Sequence, residues 1–157
     1  MTAIKTYQDA PARTVDIGGV KFAYRRLGAD KGTPVIFLHH LGAVLDNWDP
    51  RVVDGIAASH PAITFDNRGI GASQGRTPHS VEEMARDAIA FIRALGFDQV
   101  DLFGFSLGGF VAQVIAQRAP QLVRKLVLAG TGPAGGVTPD RCAALQSLRL
   151  LRAGPGR

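Results

Sequence analysis

Residues 104–109 read GFSLGG and set one serine between glycines, where the apolar run VDLF meets the apolar run FVAQVIAQ. A serine hydroxyl is a poor nucleophile until an adjacent base takes its proton. At a sharp strand-to-helix turn, however, the surroundings favour it. Flanking glycines keep side chains out of the bend and leave the hydroxyl of Ser106 exposed. The helix that starts there aims unpaired N–H groups and a positive dipole end at the reacting oxygen. The amide of Leu107 is then a donor for a tetrahedral oxyanion, and the chemistry indicated is acyl transfer. The same residues also fit a plainer alternative, a capped helix N-terminus whose glycines allow close packing on a strand.

Such a serine needs an acid and a histidine, in the chain order Ser, Asp or Glu, His. After Ser106 the sequence contains one acid, Asp140, and no histidine, so neither triad partner is identifiable. The histidines at 39, 40, 60 and 79 all precede the serine. His39 and His40 read as loop packing and, with Phe105, as residues that line a pocket. His60 follows a helix and reads as a surface or C-terminal capping residue. His79 reads as solvated, ahead of a helix start. Asp66 and Arg68 read as a structural loop pair. No acidic residue stands at a recognised spacing from two histidines, so no metal is expected. Cys142 is alone, which excludes an internal disulfide and a multi-cysteine metal site. The GIGAS segment has no phosphate-binding helix start after it, so no nucleotide cofactor is expected.

The elements that must position Ser106 are legible in the apolar pattern. TVDIGGVKFAYRRLG (14–28) is a hairpin signal around Gly18-Gly19. TPVIFLHH (33–40) is a continuous branched run suited to a central strand buried on both faces. DNWDPRVVDGIAAS (46–59) predicts a helix capped by Asp46 or Asp49, with Pro50 in its first turn. PAITFD (61–66) predicts a strand and NRGIGASQGRTPH (67–79) a loop. SVEEMARDAIAFIRALG (80–96) predicts a helix with a Ser80–Glu83 capping box and an apolar face of Met84, Ala88, Ile89, Ile92 and Leu95, ended by Gly96. A strand over 98–105, a helix over 106–120 and a strand over 122–132 follow. Strand–helix alternation from 33 to 132 predicts a three-layer α/β/α sandwich with a mostly parallel sheet and an antiparallel N-terminal hairpin. A loop over 133–140 and one further helix complete the reading.

Three motifs in order give the chain a family resemblance. FLHHLG (37–42), with Trp48 beyond it, resembles the loop after the third strand of the α/β-hydrolases. FDNRGIGAS (65–73) resembles their Asp-x-Arg-Gly-x-Gly-x-Ser loop, GFSLGG their nucleophile elbow and LVLAGT (126–131) their sixth strand. The chain looks like the N-terminal part of that superfamily, near its serine esterase and cofactor-free haloperoxidase-like branch. The resemblance implies Ser106 as nucleophile and the backbone N–H groups of Leu41 and Leu107 as the oxyanion hole. His40 stands where the family usually has glycine, which is tolerable where the backbone avoids a glycine-only conformation. Dehalogenases and epoxide hydrolases of this fold carry aspartate at the elbow, so serine disfavours both. Serine-type members act on esters, lactones, amides or thioesters without cofactor or metal.

A catalytic domain of this kind adds about two strands to what is seen here, since single α/β domains commonly run to about 200–250 residues. The expectation is therefore an incomplete fold, a truncated core over 14–135 and a tail over 136–157 that begins a cap helix. A second function class stays open beside the hydrolase, a non-catalytic binding or interaction domain that kept the pocket and lost the chemistry. An unpaired sheet edge, and self-association through it, are expected.

Composition narrows the rest. With 157 residues, 46% hydrophobic and 20% charged, the chain reads as one soluble domain. Residues 1–106 hold 11 of the 18 Lys and Arg but 12 of the 13 acids, so the net charge of +5 arises in the last third. No nucleic-acid motif accompanies that excess, and no nucleic-acid partner is expected. No stretch of about 18 uncharged apolar residues exists, and MTAIKTYQDA does not read as a signal peptide. A cytoplasmic protein with a small-molecule acyl substrate and no membrane partner is the resulting expectation.

Overall fold

The computed structural model describes residues 6–133. The expected core over 14–135 falls almost wholly within them. The tail over 136–157, with its cap helix and Cys142, lies outside the described residues.

Strands β1 (Arg13–Ile17) and β2 (Val20–Leu27) form the expected antiparallel hairpin. Its turn places Gly18 at φ 61° and Gly19 at φ 88°, a pair of left-handed conformations that glycine adopts without a Cβ penalty. β3 (Val35–Leu38) and β4 (Ala62–Phe65) are buried along their whole length. With β5 (Val100–Phe105) and β6 (Val123–Ala129) the described residues form a six-stranded sheet of order β1-β2-β4-β3-β5-β6. Pairings β3–β4, β3–β5 and β5–β6 are parallel, and β1–β2 and β2–β4 are antiparallel. The result is the mostly parallel α/β sheet that the strand–helix alternation predicts.

Side-chain alternation divides the interior in two. Ile36, Leu38, Ile63, Phe65 and Leu102 face helices α2 (Val81–Ala94) and α3 (Leu107–Arg118) in the larger core. Val35, Phe37 and Ala62 face α1 (Pro50–Ala57), Trp48 and Tyr7 in a smaller one. In α2 the buried residues are Ala85, Ala88, Phe91 and Ile92, so the buried face is centred on Phe91. Met84, Ile89 and Leu95 pack at its margins. Phe91 takes the centre by stacking on Phe65 at 4.3 Å between ring centroids.

The helix starts differ in detail from expectation. Ser80 Oγ accepts the Glu83 N–H at 3.1 Å, but the Glu83 carboxylate accepts from His79 N–H at 2.9 Å instead of closing on Ser80. Asp49, not Asp46, caps α1 by accepting the Arg51 N–H at 2.9 Å. Asp46 lies in the preceding 3-10 turn, where it pairs with Arg25 at 2.7 Å. Among the described residues no helix is long and apolar enough to cross a membrane.

Candidate active site

The turn between β5 and α3 carries Ser106 at φ 52°, ψ −114°. Among the described residues it is the one non-glycine with positive φ. A non-glycine residue held there costs on the order of 1–3 kcal/mol and persists only when its surroundings over-determine it. They do so here. Ser106 N–H donates to Ala129 O at 2.9 Å, and Ser106 O accepts from Gly109 N–H at 2.9 Å. The flanking glycines have steric reasons. A Cβ on Gly108 would run into the carbonyls of Leu38 and His39, so the first turn of α3 lies against the end of β3. A Cβ on Gly104 would meet Gly108 and Gly109 of the same turn.

That contact brings together the two segments that carry Leu107 and Leu41. Leu107 opens α3, where the N–H has no intrahelical acceptor. Leu41 sits in the turn after β3, 78% exposed, with Gly42 at φ 71° and Ala43 N–H donating to His40 O at 3.3 Å. His40 keeps negative φ, so a side chain stands without strain where the family usually has glycine.

His40 and Phe105 meet edge-to-face at 5.6 Å between ring centroids and line a cavity of about 320 Å³, with Trp48, Val52, Phe103 and Ala129 among its walls. His39 differs from them. It is 3% exposed and lies behind Trp48, whose Nε1–H donates to His39 Nε2 at 3.2 Å. Burial, then the nearby His40, pulls the His39 imidazole down to about 4, although a backbone hydrogen bond to Phe65 opposes the shift. Neutral and buried, it is a structural acceptor for the indole and not a wall of the cavity.

Asp66 and Arg68 do not pair. Asp66, 2% exposed, accepts Leu45 N–H at 2.7 Å on one oxygen and Ala72 N–H at 2.9 Å on the other, tying the loop after β3 to the loop after β4. Arg68 instead donates to Asp87 on α2 at 2.8 Å. Their side chains share a loop, but backbone amides satisfy the aspartate better than a guanidinium that reaches the other way. Tyr7 carries no signal in the sequence. It is buried, and its hydroxyl contacts Leu45 O and Thr64 Oγ1, residues far along the chain that periodicity cannot pair. Among the described residues no group of three or more His, Cys, Asp or Glu could hold a metal ion.

A serine with positive φ at a strand–helix turn, on a mostly parallel sheet, is the arrangement that the α/β-hydrolase resemblance implies. The model of the alpha/beta hydrolase fold family matches residues 33–152, and the chain belongs to that family. It is 32% identical over 117 residues to a non-heme chloroperoxidase of Streptomyces lividans, covering 73% of this chain and 42% of that protein. An alpha/beta hydrolase fold protein from Chitinophaga pinensis superposes with a TM-score of 0.82 at 38% identity, over 95% of this chain and 54% of that one. Est816, described as an N-acyl homoserine lactone degrading enzyme, superposes with a TM-score of 0.69 at 31% identity, over 85% of this chain and 52% of its own. The chain thus spans about half the length, or less, of the relatives it matches.

Proposed function

We propose that Ser106 is the nucleophile of a hydrolase acting on small ester-like acyl compounds, carboxylic esters or lactones. The observation that carries this reading is the backbone of Ser106, a strained conformation held by a residue with a hydroxyl. In the proposed reaction Ser106 Oγ gives its proton to a base and attacks the acyl carbon, and the carbonyl electrons move to oxygen, where the N–H groups of Leu41 and Leu107 stabilise the charge. Collapse breaks the acyl–oxygen bond, the departing alkoxide takes up that proton, and water then hydrolyses the acyl-serine. The lactone-degrading relative supports a cyclic ester within the substrate class.

Proton removal from Ser106 requires a base, and no histidine follows it in the sequence. The 157-residue chain by itself therefore turns over slowly, with catalysis limited to what oxyanion stabilisation supplies. A second reading is a binding domain that keeps the fold and the cavity beside His40 and Phe105 without the chemistry. A fluorophosphonate probe separates them. Covalent labelling at Ser106, abolished by Ser106→Ala, supports the nucleophile; a folded protein that stays unlabelled under prolonged exposure supports the binding domain. Rapid steady-state release of p-nitrophenol from p-nitrophenyl acetate, abolished by Ser106→Ala, would contradict the slow-turnover reading.

A further inference from the structure

The loop that carries Leu41 leaves the sheet at Leu38 and is fixed again at Leu45. Its near end is held by β3 and by the first turn of α3. Its far end is held by side chains from elsewhere in the chain. The Leu45 N–H is taken by Asp66. The Leu45 carbonyl is taken by Tyr7, whose hydroxyl donates to it at 2.6 Å. Thr64 Oγ1 lies 2.9 Å from the same hydroxyl. Tyr7 belongs to a short N-terminal 3-10 turn ahead of residue 33, where the family match begins.

Tyr7 is itself firmly seated. It is 1% exposed, its N–H donates to Asp54 of α1 at 2.6 Å, and the Arg25 guanidinium lies 5.2 Å from its ring centroid. Arg25 is in turn paired with Asp46, one residue beyond Leu45. Burial raises the phenol above its ordinary value, so it remains protonated and remains a donor.

We infer that Tyr7 is a positioning residue of the candidate active site: the N-terminal segment is a strap whose phenol sets the far end of the loop bearing the Leu41 amide. The inference rests on the reading of Leu41 as an oxyanion donor. A buried carbonyl that loses its one side-chain donor is free to seek another, and the peptide groups between it and β3 move with it.

The test is Tyr7→Phe in the full chain, which removes the hydroxyl and keeps the ring. Backbone amide exchange is measured at residues 41–45 and in α2, together with the rate and affinity of fluorophosphonate labelling at Ser106. The expected result is exchange at 41–45 about tenfold faster, the scale of one lost buried hydrogen bond, with α2 unchanged. The labelling rate constant falls by about the same factor while the affinity for the probe holds. A residue that served stability alone would accelerate exchange throughout the core and leave the labelling constant untouched, and that result overturns the inference. Unchanged exchange at 41–45 overturns it as well. If Tyr7→Phe does not fold, Asp54→Ala frees the strap from α1 with the phenol intact, and the same comparison decides. A parent chain that never labels at Ser106 sinks the nucleophile reading instead, and the exchange data alone then judge the strap.

Discussion

Ser106 holds its position at a cost in backbone strain, and that strain is measurable. Ser106→Gly removes the conflict between Cβ and a positive φ. It should raise stability by about 1 kcal/mol, net of the extra freedom that glycine gains in the unfolded chain. Denaturant titration of the two proteins reads the difference, and a less stable glycine variant would refute the strain. His39 gives a second prediction at this scale. Its folded value of about 4 lies below the ordinary 6.5, so between these limits the unfolded chain binds more protons than the native one. Stability is therefore intact above about pH 6.5 and falls as the pH drops towards 4, by on the order of 3 kcal/mol. In His39→Gln the slope over this window should flatten. Wild-type stability that is level from pH 7 to 4.5 would show the imidazole to be charged or exposed.

Elements are the most legible level of this sequence, for a physical reason. Hairpin, strands and helices are written in local periodicity and turn chemistry, and the strand–turn–helix context of GFSLGG lies within about fifteen residues. Ser106, Leu107 and Leu41 can be nominated on that basis, and so can His40 and Phe105 as cavity walls. What periodicity cannot carry is pairing across the sheet. Asp66 is readable as buried loop structure but not as the acceptor of Leu45 and Ala72, and Arg68 is drawn to Asp87 across a fold the motif does not encode. Phe91 falls outside the expected face of α2 because a stacking partner, Phe65, decides which of its neighbours turns inward. Two substitutions test the elements themselves. Ser80→Ala removes the acceptor of the Glu83 N–H and should cost about 1 kcal/mol, seen as a modest drop in melting temperature. Gly108→Ala should be far worse, about 3 kcal/mol or more, because the new methyl meets the backbone carbonyls of Leu38 and His39, which have nowhere to go. A Gly108→Ala variant that melts with the parent would mean that α3 does not abut β3.

At the scale of the molecule, β6 ends the strand order among the described residues. Leu126, Val127 and Leu128 on it are 37%, 48% and 43% exposed. Lys125 places a charge on the same strand, a common restraint on edge pairing. We expect that restraint to be insufficient and the chain to self-associate as its concentration rises. Sedimentation velocity from dilute to concentrated protein should show a rising average mass, and Val127→Lys should suppress it. A single monomeric species throughout would rule this out.

The hydrogen bond from Ser106 to Ala129 is the terminal rung of the ladder that joins β5 to β6, the outermost strand among the described residues. The serine's backbone and the sheet margin are therefore mechanically one piece. Fraying of that strand from its far tip would let the torsions at 106 relax, and whatever clasps the margin would sharpen the aim of the hydroxyl from a distance.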